Sequence, residues 1–208
     1  MRWIKRKENG HWPVGVPKPA IPVTAAVPPS GPGWLHEVKH DGYRLIVRRE
    51  GNTARVFTRG GYDWTERYPS IVAGMLKLSA PSFIIDGEGV VEGAPGIADF
   101  ALLHSRQNDR RCYLIGFDLL EIDGHDLCSL PLEARKDRLA QLLRGSNSGI
   151  VYAEHLDCEG SIIFETACRM GLEGIVSKRR DRPYTSGPCK HWVKVKNPSA
   201  PAVLRFQE

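Results

Sequence analysis

The chain has 208 residues, 41% of them hydrophobic, with 29 Lys and Arg against 24 Asp and Glu for a net charge of +5. That is enough for one good core, or for one large and one small lobe, and no apolar run approaches the roughly 18 residues of a membrane span. The basic start of the chain has no apolar stretch of the kind a secretory signal needs. Its five cysteines (Cys112, Cys128, Cys158, Cys168, Cys189) include no C-x-x-C pair, which argues against structural zinc and a disulfide framework and suits a reducing cytoplasm.

Residues 1–32 hold seven of the fifteen prolines and read as an extended, basic arm, poorly ordered at its start. The folded body is expected over residues 33–198, with 199–208 as a tail. Strands are expected at 36–39 and 45–49 around a tight Asp41-Gly42 turn, then at 54–59, ending at Gly60-Gly61. Thr65 is placed to cap a helix over 66–78. Strands at 83–85 and 89–91 flank Asp86-Gly87-Glu88, a short helix covers 98–106, and 112–120 is a strongly apolar strand before the hairpin turn Asp123-Gly124. A helix follows over 131–144, with Leu132, Leu139, Leu142 and Leu143 mainly on one face. Another covers 160–170, with Ile163, Ala167 and Met170 inward and Gly171 as its stop. Strands at 174–178 and 191–196 close the body. Strands and helices mix without a βαβ repeat, so the fold class is α+β with antiparallel-rich sheets flanked by helices.

The chemistry concentrates in a few places. Lys39-His40-Asp41-Gly42-Tyr43-Arg44 sets an amine, a carboxylate and a guanidinium around one turn, and a lysine there is a candidate nucleophile toward phosphorus or a carbonyl. From Lys178 to Lys196 there are seven Lys or Arg and one acid, Asp181. Proline and glycine break this run, so it reads as a loop between two strands, facing phosphate or nucleic acid. In Trp192-Val193-Lys194-Val195-Lys196 the period of two puts Trp192, Lys194 and Lys196 on one face and both valines on the other. Two adjacent lysines repel unless an anion lies between them. No P-loop and no G-x-G-x-x-G is present, so any nucleoside triphosphate must be held by side-chain cations. A lysine attacks only as the neutral amine, and nearby cations favour that form. A divalent metal needs hard oxygen ligands, for which Asp41, Glu88 and Glu173, each beside a glycine, are candidates. Phe117, on an apolar strand beside Gly116, suits either packing or stacking on a base.

These segments occur in order: Glu37-Val-Lys39-His-Asp41-Gly42-Tyr-Arg44, Phe57-Thr-Arg59-Gly60-Gly61, Asp86-Gly87-Glu88, Phe117-Asp118-Leu119-Leu120, Glu173-Gly174-Ile-Val-Ser-Lys178-Arg179 and Trp192-Val-Lys194-Val-Lys196. Together they resemble the covalent nucleotidyltransferases, and within them the adenylation domain of ATP-dependent DNA ligases of the bacterial end-joining type, from about Trp34 to Pro198. The resemblance implies the ATP-grasp-like nucleotidyltransferase fold. It implies ATP as AMP donor, with Mg²⁺ or Mn²⁺, and nicked or broken double-stranded DNA as the substrate, in the bacterial cytoplasm beside the nucleoid. By position, Lys39 would form lysyl-AMP, and Asp41, Glu88 and Glu173 would hold the metal. Arg44 would contact the ribose or the nearby phosphate, Glu88 would also reach the ribose, the segment around Glu37 would meet the adenine edge, and Phe117 would stack on adenine. Lys194 and Lys196 would bind the α-phosphate, Lys178 would be a further nucleotide or DNA contact, and Arg59, at the 5′-phosphate of the nick, and Arg179 would contact DNA.

His40 stands where a tyrosine is common. The chain also stops at Glu208, too soon after Pro198 for the OB-fold domain such ligases usually carry, so it reads either as a fragment of a longer protein or as a naturally short ligase-like protein. Slow self-adenylation, weak DNA affinity and surviving activity on a pre-adenylated nick are therefore expected, with an end-joining protein or a separate OB-fold clamp as partner. The competing readings are an RNA ligase or capping-type nucleotidyltransferase, and a DNA-end-binding module that retains the fold without the catalysis.

Overall fold

The computed structural model describes residues 12–94, 96–146 and 149–205; the expected disorder of the extreme N-terminus lies outside them. Two sheets face each other. One has strand order β1 (Ala20–Thr24), β11 (Gly187–Lys196), β10 (Gly174–Arg179), β2 (Trp34–Val38), β9 (His155–Leu156). The other runs β4 (Thr53–Thr58), β3 (Tyr43–Glu50), β5 (Ser82–Val90), β6 (Tyr113–Ile122), β7 (His125–Asp126), with β8 (Ile150–Tyr152) alongside β6. Among the described residues only the β1–β11 and β6–β8 pairs are parallel, as expected for an antiparallel-rich α+β fold. Helices α1 (Pro69–Lys77) and α3 (Leu132–Leu142) cover the outer face of the six-stranded sheet. Helix α4 (Gly160–Arg169) covers the outer face of the other. Two short helices, α2 (Phe100–His104) and α5 (Pro201–Leu204), complete the fold.

Strand alternation explains this layering. In β3, Leu45 and Val47 enter the core under α1 and α3, while Ile46 enters the layer between the sheets. In β5, Phe83 and Ile85 point to the first core and Ile84 to the second. With a period of two, Arg44, Asp86 and Glu88 then share the face of Ile46 and Ile84, which looks at the other sheet.

Several elements depart from the sequence reading. The proline-rich segment supplies β1, an edge strand, where prolines are tolerated; Ala20 is buried and pairs with Gly187. Asp86-Gly87-Glu88 is no turn but the middle of the continuous strand β5. Gly87 is required because a Cβ there would sit 2.7 Å from the Ile115 carbonyl oxygen. The helix expected from Thr65 starts only at Pro69, since the residue before a proline avoids helical geometry and Tyr68 has φ −119° and ψ 66°. Residues 65–67 form a 3-10 turn in which Thr65 Oγ1 accepts the Val56 N–H. Helix α2 is shorter than expected and is capped by Asp99, whose side chain accepts from the N–H groups of Ala101 and Leu102. Met170 is 58% exposed rather than inward. Strand β11 begins at Gly187, so much of the expected basic loop is strand. The Asp123-Gly124 hairpin is as expected: both residues have positive φ, 51° and 79°.

Candidate active site

Lys39 lies on the four-residue crossing from β2 in one sheet to β3 in the other. Its N–H donates to the Gly174 carbonyl at 2.9 Å. Gly42 in this crossing and Gly174 at the start of β10 beside it are both fixed by close approach. A Cβ on Gly42 would meet the Gly89 carbonyl oxygen at 2.3 Å, and one on Gly174 (φ 142°) would meet that of Val195 at 2.0 Å. Gly42 thus serves packing rather than the positive-φ turn its Asp-Gly context suggested.

Three clefts converge on Lys39. The first, a cavity of about 180 Å³ between the sheets, is lined by Glu37, Lys39, Arg44, Arg59, Glu88, Phe117, Lys178 and Lys194, all expected from sequence. Its other walls include Ala20, Ile21 and Pro22 of β1, and Val176 and Trp192. The second cleft brings Lys39 together with Asp41, Glu173 and Arg205. The third joins Lys39, Arg59 and Glu88 with the same three residues and exposed Tyr62. The alternation read from Trp192 to Lys196 holds: Val193 and Val195 pack on the α4 side, while Trp192 and Lys194 line the cavity.

Lys39 Nζ donates to Glu173 Oε2 at 2.6 Å, and Lys196 Nζ is 3.8 Å from the other carboxylate oxygen. Burial pushes the Glu88 carboxyl up to about 7, opposed by Lys39 and Arg44. Burial, then the charges of Lys196, Lys39 and Arg59, lowers the Lys194 ammonium below its ordinary range. Burial also takes the His40 imidazole down to about 4. Arg44 is held by a bidentate pair with fully buried Asp86, at 2.6 and 2.7 Å. Asp86 also accepts from the Tyr184 hydroxyl at 2.6 Å, and that hydroxyl accepts the Ala20 N–H. The arm, β3 and β5 are thereby tied beside the cavity.

Three sequence expectations meet contacts that the sequence did not show. Asp41, Glu88 and Glu173 all line the third cleft, but among the described residues no three His, Cys, Asp or Glu side chains are grouped to hold a metal ion. Asp41 is instead paired with Arg205 at 2.9 Å, and Glu173 is paired with Lys39. The donors are the hard oxygens that Mg²⁺ or Mn²⁺ takes, but they do not form an all-protein cage; such ions are commonly bound by one or two carboxylates plus substrate phosphates. Phe117 does not offer a free face: the Lys178 ammonium and the Arg44 guanidinium lie 4.0 and 4.3 Å from its centroid. Arg179 lines none of these clefts; it pairs with Asp181 and lies 5.5 Å from the Trp34 ring.

Two groups escaped the sequence reading. Asp86 sits within a motif, but a carboxylate beside glycine looks like a turn residue and so suggests no role. Lys136 stands outside every motif, yet its spacing from Leu132 and Leu139 places it on the inward face of α3. It is 1% exposed and donates to Glu37 Oε1 at 2.6 Å, while Lys178 Nζ lies 2.5 Å from Glu37 Oε2. The Glu37 carboxylate therefore holds two lysines at once.

Residues 22–196 match the family model described as ATP dependent DNA ligase domain. The multifunctional non-homologous end joining protein LigD of Pseudomonas aeruginosa is 36% identical over 174 residues, covering 81% of this chain and 20% of that protein. Its Mycobacterium tuberculosis counterpart is 34% identical over 165 residues, covering 79% and 22%. Among solved structures, a mycobacterial DNA ligase D complexed with ATP and MES superposes with a TM-score of 0.74 at 30% identity, covering 86% of this chain and 60% of that one. The M. tuberculosis LigD ligase domain gives the same score at 31% identity, covering 87% and 60%. The chain thus spans about a fifth of the length of these curated relatives.

Proposed function

Because the chain belongs to the ATP dependent DNA ligase domain family, we propose that it is an adenylation domain that takes AMP from ATP onto Lys39 and passes it to a DNA 5′-phosphate. The observation that carries this reading is the position of Lys39, at the mouth of the inter-sheet cavity whose walls include Lys194. Glu173, in contact with Nζ, is the base that receives the lysine proton. The freed amine attacks the α-phosphorus, an N–P bond forms, and the bond to pyrophosphate breaks. Lys194 offsets the charge that builds on the phosphate oxygens, with Lys196 behind it. Glu88 and Glu173, with phosphate oxygens of the nucleotide, would hold Mg²⁺ or Mn²⁺; when bound, that ion neutralises phosphate charge. Arg59, shared by the cavity and the third cleft, receives the 5′-phosphate of nicked or broken duplex DNA. AMP moves from the lysine to that phosphate, and a 3′-hydroxyl then displaces AMP and closes the strand.

All five cysteines are unpaired, and no helix among the described residues is long and apolar enough to cross a membrane; the similarity to bacterial end-joining proteins supports work in the bacterial cytoplasm, beside the nucleoid and end-joining proteins. A nick-sealing assay that compares ATP with a pre-adenylated nick tests the proposal. Sealing of the pre-adenylated nick is expected. No sealing on either substrate, even with long incubation, would contradict it.

A further inference from the structure

A lysine is almost never fully buried unless it is paired, and this protein buries two on one carboxylate. Lys136 of α3 is saturated: it donates to Glu37 Oε1 at 2.6 Å and to the Ala153 carbonyl at 3.1 Å, and it lies 4.7 Å from the Tyr152 ring centroid. Lys178 of β10 is not. It is 2% exposed and lies against the rings of Phe117 and Trp192, and its Nζ is close to Glu37 Oε2 but has no aligned hydrogen-bond acceptor among the described residues. The nearby Asp118 does not supply one, because Arg135 takes both of its oxygens at 2.7 and 2.8 Å. Two ammonium groups share one carboxylate, and the surplus charge falls on the lysine that lines the cavity.

We propose that Lys136 is a positioning residue for base recognition. By claiming one oxygen of Glu37, it leaves the Lys178 ammonium with a single carboxylate contact and with further N–H groups for the cavity it lines, where they bind the acceptor nitrogens of the purine ring. This rests on the nucleotide reading above and adds to it a residue that touches no ligand. Titration behaviour agrees. Burial, joined by the charge of Lys136, takes Lys178 down to about 8, against the pull of Glu37 and Asp118. Those three groups, from β2, α3 and β6, together with Arg44 of β3 across the Phe117 ring, are the charges that face it. Purine binding needs the protonated form, so affinity must fall as pH rises through about 8. Without Lys136 a like charge is gone and Glu37 belongs to Lys178 alone. The midpoint then moves up, and the whole carboxylate draws the ammonium toward itself and away from the cavity.

The test is equilibrium binding of adenosine, ATP and pyrophosphate to the full chain between pH 6.5 and about 9.5. Lys136→Met should weaken adenosine and ATP alike, by about 10-fold at pH 7 on the scale of a hydrogen bond to a charged group. It should leave pyrophosphate unchanged and raise the pH midpoint, and Lys136→Arg should restore both affinity and midpoint. Weakening confined to ATP and pyrophosphate would assign Lys178 to phosphate and overturn the proposal. So would a folded Lys136→Met protein with parental affinity and midpoint. The unsubstituted protein gives a test that no folding defect can spoil: an adenosine affinity that stays flat across pH 8 rules the proposal out. If the parent bound neither adenosine nor ATP, the nucleotide reading itself would fail first.

Discussion

The two faces of the six-stranded sheet are built from the same strands and behave as different materials. The outer face, under α1 and α3, is carbon: Leu45, Val47, Phe83, Ile85, Leu114 and Leu119 are fully buried there. The inner face carries Arg44, Asp86, Glu88 and Phe117 toward the other sheet, which answers with Glu37, Lys178 and Lys194. A one-residue slip of any strand would exchange the two sets, and only the apolar face resists that strongly. The outer core therefore fixes the register of the reactive side chains, while the inner face contributes chemistry at some expense in stability.

This contrast can be broken by substitution. Phe83→Ala should cost about 3–5 kcal/mol by leaving a cavity in the outer core, read as a lower denaturant midpoint, and should spare the chemistry of whatever fraction stays folded. A loss of adenylation beyond the unfolded fraction would mean that the faces are not separable. On the inner face, Lys194→Ala should slow adenylation by about 10²–10³, the scale of one lost transition-state donor, with little change in melting temperature. Arg179→Ala, which alters no cleft residue, should leave the rate within about twofold; equal effects of the two would misplace the phosphate.

Buried charge on the inner face should also show in stability against pH. The Lys178 ammonium is down at about 8 in the fold and titrates near its ordinary value of about 10.4 when unfolded. Between those values the unfolded chain binds the extra proton, so this group makes the fold more stable as pH rises from about 8 toward 10. Comparison of urea midpoints with Lys178→Met, which should lack that slope, isolates the effect; identical slopes would contradict it. The smallest change should come from the exposed pair Arg55–Asp63, 3.0 Å apart, where Arg55→Ala should cost less than about 1 kcal/mol.

What was legible in the sequence follows the same division. Local periodicity placed Val195 in the core and Lys194 in the cavity, and local turn chemistry placed the Asp123-Gly124 hairpin. The ordered motifs brought eight site residues to one cavity. Long-range pairing stayed hidden. Nothing around Ala20 announces a parallel partner at Gly187, and the prolines there argue for a linker. Asp86-Gly87-Glu88 misled because its glycine answers to a neighbouring strand rather than to its own φ. Lys136 looks like a solvated cation until the carboxylate it shares with Lys178 is seen.

The account turns on one nitrogen. Incubation of the protein with Mg²⁺ and ATP labelled at the α-phosphate should leave label on the chain, and peptide mapping should find it on Lys39. Lys39→Ala should fold with the parental melting temperature and take no label. Label of parental yield in that variant, or label mapped to any other residue of the parent, would contradict the central claim.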